Sequence, residues 1–221
     1  MKVALVVFAR PPHAGQVKTR LAASLGPRRA AAVYRTLLQA TLEQACASGH
    51  AVTLCLTEAP DSNVWRPPDG VCWELQEGQD LGQRMRNALA RRFAGGFAGA
   101  VLIGSDVPGL TAAHLGEAAA ALAHTPMVLG PASDGGFWLV GQRAPGWDVF
   151  TGVTYSSPAT LAATLARCRT LGLAVRQLET LVDVDTEADL RRALADPHLP
   201  RPLRARLAAA CNDSSPRCTN A

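Results

Sequence analysis

Five short segments of this 221-residue chain carry side chains of the kinds that handle phosphates and divalent cations. In ARPPHAGQVKTRL, residues 9–21, Lys18 and Arg20 are two permanent cations suited to a polyphosphate, and Gly15 permits a tight backbone approach. The chain has only two lysines, Lys2 and Lys18, so an ammonium at this position stands out against an arginine-rich background. A P-loop would need glycine directly before the lysine and another five positions earlier, where Val17 and Pro12 stand, and no GxGxxG occurs. ATPase and NAD readings therefore drop. In GSDVPGL, residues 104–110, Asp106 can hold a divalent cation whose other ligands come from water and phosphate oxygens.

The remaining three segments are more ambiguous. PASDGGFWLVG, residues 131–141, sets Asp134 before Gly135 and Gly136, small residues that clear space for a ligand, although Asp-Gly and Gly-Gly are also hairpin pairs. In LVDVDTEADL, residues 181–190, Asp183 and Asp185 alternate along an extended piece and point to opposite faces, which leaves one of them to share a metal. Thr186, Glu187 and Asp189 open a helix there, so part of the acidity complements a helix dipole. The string also mimics the aspartate-nucleophile motif of certain phosphatases, but too little chain follows Asp185 to build their remaining catalytic strands. In QEGQDLGQRM, residues 76–85, Asp80 either caps a helix or, with backbone groups around Gly82, reads a nucleobase or ribose.

The elements that must position these residues alternate between strand and helix. Met1 to Phe8 is a continuous apolar run, the pattern of a buried parallel strand. Strands are expected again at 52–57, 71–76, 100–104, 127–130, 137–141 and 174–178. Helices are expected at 27–48, 81–94, 111–123, 158–171 and from Thr186 to about Pro197. This order implies an α/β fold, a three-layer α/β/α sandwich with a mostly parallel mixed sheet. In such a sheet the ligand crevice lies beyond the carboxyl ends of the strands, where all five segments fall. A single domain over 1–211 with a loosely ordered tail at 212–221 is expected.

Composition narrows the class further. With 48% hydrophobic and 18% charged residues the chain is that of an ordinary globular protein, which excludes disorder, collagen and coiled coil. The net charge of +4 favours anionic small ligands weakly and requires no nucleic-acid partner. The six cysteines lie far apart, with no CxxC pair and no zinc spacing. The opening MKVALVVFAR is too short in apolar residues for a signal-peptide core or a membrane span, so a cytoplasmic location is expected.

Taken together, the strings FARPPHAGQVKTRL, QEGQDLGQRM, GSDVPGL, GPASDGGFWLVG and DVDTEADL resemble a bacterial family of GT-A-type glycosyltransferases of uncharacterised function. That family is related to phospholactate guanylyltransferase and molybdenum-cofactor guanylyltransferase, and the likeness spans roughly residues 1–195. It implies the spore-coat-polysaccharide-like fold of the nucleotide-diphospho-sugar transferases. By this resemblance Gly15, Lys18 and Arg20 serve the nucleotide phosphates, Asp106 binds the metal, and the second acidic ligand matches Asp185 best, with Asp183 behind it. The candidate nucleotide site adds Ala9 and Arg10 in the first loop, Gln76, Asp80, Gly82 and Arg84 in the second, and Ser105 beside Asp106. Asp134, Gly135 and Gly136 are candidates for the acceptor or sugar. Where the family usually carries a tryptophan, this chain has Tyr155, so no acceptor contact is carried over to that position.

The resemblance implies Mg²⁺ or Mn²⁺ and a transferase working on a nucleotide phosphate. In glycosyl transfer an acceptor hydroxyl attacks the anomeric carbon of a nucleotide-diphospho-sugar, with Lys18, Arg20, Asp106 and Asp134 as catalytic candidates. In nucleotidyl transfer a phosphorylated acceptor attacks the α-phosphorus of an NTP and pyrophosphate leaves. A nucleotide-binding module without turnover is the non-enzymatic alternative.

Overall fold

The computed structural model describes residues 1–212. In chain order the elements are β1 (Val3–Ala9), α1 (Thr19–Leu25), α2 (Pro27–Ala47), β2 (Ala51–Leu56), β3 (Cys72–Leu75), α3 (Leu81–Ala94) and β4 (Gly99–Ile103). There follow α4 (Ala112–Ala121), β5 (Met127–Pro131), β6 (Phe137–Gln142), α5 (Thr160–Thr170), β7 (Val175–Gln177), α6 (Glu187–Ala195) and α7 (Arg201–Asn212).

The apolar run at the start becomes β1, buried at every position because helices cover both faces of the sheet. Leu5 and Val7 pack on the side of Leu38 and Leu42 of α2 and Leu115 of α4. Val6 and Phe8 pack on the opposite side, with Met85 and Leu89 of α3 and Cys168 of α5. Three layers result, as the alternation of elements implies. The seven strands form one sheet in the order β3-β2-β1-β4-β6-β5-β7. Strands β2, β1 and β4 are mutually parallel, β3 is parallel to β2, and β7 is parallel to β5. Strand β6 alone runs antiparallel to its neighbours β4 and β5. The carboxyl ends of the other six strands therefore lie along one edge, and the β5–β6 hairpin turns at that same edge.

Helix boundaries follow local chemistry. Pro27 opens α2, where its missing N–H costs nothing. The Asp80 carboxylate caps α3 by accepting from the Gln83 N–H, and Thr186 caps α6 in a reciprocal pair with Asp189. Two helices, α1 and α7, lie beyond those expected. Leu203, Leu207 and Ala210 of α7 are buried in a cluster with Val33 and Leu37 of α2, and Arg206 grips Glu43 of α2 bidentately at 2.7 and 2.8 Å. Asn212 ends α7 and is helical; residues 213–221, on which the rest of the expected loose tail falls, lie outside the described residues. Among the described residues no helix is long and apolar enough to cross a membrane.

Candidate active site

The loop after β1 is anchored at one residue so that the next can turn inward. Val17 is buried against Ala31 and Tyr34 of α2. Lys18 follows with φ 47° and ψ 50°, the left-handed region that L-residues rarely occupy. This turn carries its ammonium into the cleft, where the side chain is only 6% exposed. Lys18 Nζ donates to Asp106 Oδ2 at 2.9 Å and to Asp185 Oδ1 at 2.6 Å, while Arg20 Nη1 lies 3.6 Å from Asp185 Oδ2. Burial works against the charge on Lys18, but the two carboxylates outweigh it and hold the ammonium above the ordinary lysine range. Residues from the beginning, middle and end of the chain thus meet within hydrogen-bond distance.

The acidic partners are positioned by strand ends. Asp106 follows β4 in the sheet centre. After β7 the chain crosses the strand ends toward it: Leu181 N–H donates to the Pro131 carbonyl, and Val184 N–H donates to the Asp106 carbonyl at 3.0 Å. Val184 is fully buried. Its neighbours consequently fall on two sides, Asp185 with Lys18 and Asp183 with Asp134 and Asp106 in an adjoining cavity. Burial, followed by the like charges of Asp134 and Asp106, pushes the Asp183 carboxyl up to about 6.

Two connected cavities result. The larger, about 680 Å³, is lined by Arg10, Lys18, Arg20 and Arg84, with Ala9, Gln76, Ser105, Asp106 and Asp185. The smaller, about 280 Å³, takes in Asp106, Asp134, Gly136 and Asp183 over an apolar floor. Gln76 ties two strand ends together, its amide donating to the Ala9 and Cys55 carbonyls. Arg84 Nε donates to the Gly78 carbonyl at 3.1 Å.

Four candidates line neither cavity. Gly15 forms an exposed turn at φ 86°. Gly135 packs on Pro158 instead of facing the ligand space, and Gly82 packs against the Tyr155 hydroxyl. Asp80 is occupied as a helix cap, so its carboxylate acts on α3.

Three residues join the site beyond those candidates, and of them only Tyr155 is marked in the sequence, at the position where the resembled family carries tryptophan. Tyr34 is 5% exposed, shares a hydrogen bond with Ser105 Oγ at 3.0 Å and accepts from the Arg10 N–H at 3.0 Å, tying the first loop to the residue beside Asp106. In sequence it is one more apolar-face residue of α2. Tyr155 walls both cavities, its hydroxyl donating to the Phe150 carbonyl at 3.2 Å. Ser156, at φ 56°, is with Lys18 one of two non-glycine residues of positive φ among those described, and both line the cleft. Backbone strain gathered at one site points to function.

Asp106 meets Lys18 through Oδ2, and Asp183 faces it across the smaller cavity. Among the described residues no three His, Cys, Asp or Glu side chains converge to cage a metal unaided. This donor set fits Mg²⁺ or Mn²⁺, hard ions that accept one or two carboxylates and fill their shell with water and phosphate oxygens.

Residues 37–157 match a family model described as "Uncharacterized protein conserved in bacteria (DUF2064)". A crystal structure of a candidate nucleotide-diphospho-sugar transferase from Desulfovibrio desulfuricans G20 is 30% identical, with TM-score 0.85, covering 96% of this chain and 98% of that one. Two more distant structures share the fold. Rv0371c from Mycobacterium tuberculosis H37Rv, in complex with manganese, is 21% identical at TM-score 0.53, covering 87% of this chain and 97% of that one. CMP:2-keto-3-deoxy-manno-octonic acid synthetase, complexed with CTP, is 13% identical at TM-score 0.54, covering 95% and 99%. No curated protein matches the chain.

Proposed function

This chain belongs to the DUF2064 family of bacterial proteins, and on that premise we propose that it is a metal-dependent glycosyltransferase using a nucleotide-diphospho-sugar. The observation that carries the reading is the Lys18 ammonium buried between Asp106 and Asp185, in a cavity also lined by Arg10, Arg20 and Arg84. Four cations at one strand-end crevice suit a diphosphate, and the Lys18 carboxylate clamp fixes where the first of them sits.

In this reading Lys18 and Arg20 bind the diphosphate oxygens and neutralise the charge that grows there as the anomeric C–O bond breaks. Asp106, with Asp183 facing the same space, would hold Mg²⁺ or Mn²⁺; Asp185 is engaged by Lys18 and Arg20 and keeps their charges in place. The bound ion supplies Lewis-acid stabilisation of the leaving phosphate. Asp134 accepts the proton of the acceptor hydroxyl as its oxygen bonds to the anomeric carbon, and a nucleoside diphosphate leaves.

The same four cations would also serve the triphosphate of an NTP, which favours nucleotidyl transfer as a second reading. Incubating the purified protein with MnCl₂ and panels of NDP-sugars and NTPs separates them. Metal-dependent release of nucleoside diphosphate, abolished in Asp106→Asn, is expected; pyrophosphate release in its place would establish nucleotidyl transfer. A module that binds without turnover would consume nothing, and Asp106→Ala would leave its ligand affinity unchanged.

A further inference from the structure

The two cavities share Phe8, Leu81, Gly104, Asp106, Tyr155 and Ser156, yet their charges are opposed. Every lysine or arginine of the cleft lies on the phosphate side. The smaller cavity is lined by the carboxylates Asp106, Asp134 and Asp183 and, among the described residues, by no lysine, arginine or histidine. Its floor is apolar, with Phe8, Met85 and Phe137, and its rim carries the hydroxyls of Ser156 and Ser157. An anionic group placed there would face three carboxylates with no counter-charge from the chain. Even a divalent ion on Asp106 and Asp183 would leave no net positive charge in the cavity. Hydroxyl groups, by contrast, donate to carboxylates, and an apolar ring face suits the floor.

We propose that the smaller cavity admits an uncharged polyhydroxyl group, a sugar or polyol, and rejects phosphorylated and carboxylated ones. This specificity rests on the transferase reading and narrows it, because a phosphorylated acceptor has no place beside the phosphate cavity. Asp134 is the specificity-determining residue, since it is the carboxylate of this cavity that neither pairs with Lys18, as Asp106 does, nor adjoins the buried Val184 in the strand-end crossing, as Asp183 does.

The test places one thiol in each cavity, Ser157→Cys in the smaller and Thr57→Cys in the larger, each of which must melt within the range of the parent. Phe137→Cys, on the same small cavity, replaces Ser157→Cys if that variant does not fold. Modification by cationic trimethylammonium-ethyl and anionic sulfonato-ethyl methanethiosulfonate is followed by mass spectrometry of the engineered peptide, and rates are normalised to those of a free thiol. The expected preference for the cation at Ser157→Cys is about tenfold, reversed at Thr57→Cys, and reduced by Asp134→Asn. A normalised preference for the anion at Ser157→Cys, or no preference, overturns the proposal. With MnCl₂ and a mixture of nucleoside diphosphates present, millimolar glucose, mannose or glycerol should slow labelling of this thiol by uncharged methyl methanethiosulfonate. Glucose 6-phosphate and glycerol 3-phosphate should not. Protection by the phosphates at least equal to that by the parent compounds, or protection by none of them, also overturns it. Failure of the transferase reading looks different: nucleoside diphosphates would then neither protect Thr57→Cys nor raise the melting temperature.

Discussion

The Val184 N–H donates to the Asp106 carbonyl at 3.0 Å, and this bond divides the acidic residues of the cleft. Because Val184 is fully buried, the residues beside it must diverge. Asp185 goes to the ammonium of Lys18, and Asp183 goes to the cavity of Asp134. A single register between two loops thus builds a cationic compartment and an acidic one around the shared carboxylate of Asp106.

Lys18 combines a strained backbone with a buried charge, and two substitutions separate these. Lys18→Ala and Lys18→Gly both leave Asp106 and Asp185 without the ammonium between them, with Arg20 still 3.6 Å from Asp185. Since those carboxylates are 34% and 38% exposed, the expected loss from the missing pair is modest, about 1–2 kcal/mol. Only alanine keeps the cost of the left-handed conformation, so the glycine variant should be more stable than the alanine variant by about 1 kcal/mol in urea denaturation. Equal midpoints would mean that the turn at Lys18 is not imposed by its surroundings. Nucleotide affinity should fall about tenfold or more in both, measured by calorimetry.

Asp183 gives the apo protein a pH signature. Its carboxyl is pushed up to about 6, so the folded chain binds this proton more tightly than the unfolded chain, whose value is near 4. Its contribution to stability is therefore most favourable below about pH 4 and declines as pH rises through about 6. Asp183→Asn should raise the melting temperature at about pH 8, with the gain vanishing near pH 4. A gain independent of pH would refute the assignment. Added MnCl₂ should narrow the gap at high pH by stabilising the parent more.

Much of this arrangement is legible in the sequence because hydrophobic period and glycine-proline punctuation report directly on strands and helices. All seven strands and five of the helices lie where apolar runs and caps put them, and Leu81–Ala94 matches its expected bounds. Helix α1 is short and follows a left-handed residue, a start with no capping side chain, so nothing in its composition marks it. Helix α7 leaves a trace, the spacing of Leu203, Leu207 and Ala210, in a segment dense in arginines. The meeting of Lys18 with Asp106 and Asp185 follows from the strand-end rule for parallel sheets. The part played by Tyr34 does not, because a buried tyrosine on a helix looks like core until its hydroxyl is seen between Arg10 and Ser105. Which glycines face ligand is equally hidden, as that depends on which loop packs behind them.

Tyr34→Phe tests the tie between the loops. Removing the hydroxyl leaves the part-buried Arg10 N–H and the buried Ser105 Oγ without this partner, which should cost about 1–2 kcal/mol. Because the packing of the ring is retained, a larger effect is expected on nucleotide binding, through the displaced loop that carries Lys18. Calorimetric titration with nucleoside diphosphate at a temperature where both proteins are folded separates the two effects. Unchanged affinity in the variant would reduce Tyr34 to an ordinary core residue.

Gly135 and Gly15 both have positive φ, at 88° and 86°, yet they should respond differently to alanine. A Cβ on Gly15 meets nothing within 4 Å, so Gly15→Ala carries only the conformational cost, about 1 kcal/mol. A Cβ on Gly135 would lie 2.2 Å from the Pro158 carbonyl oxygen, a backbone atom that cannot swing away as a side chain does. Gly135 also accepts the Leu161 N–H at 2.9 Å, so relieving the clash would pull the start of α5 off the Asp134 turn. Gly135→Ala is therefore expected to lose about 3 kcal/mol in urea denaturation. The displacement falls on Ser156 and Ser157, which rim the smaller cavity, so affinity for a nucleotide-sugar should drop more than affinity for the corresponding nucleoside diphosphate. Equal stability losses in the two alanine variants would show that the Pro158 contact is not what fixes this loop, and with it the shape of the acidic compartment.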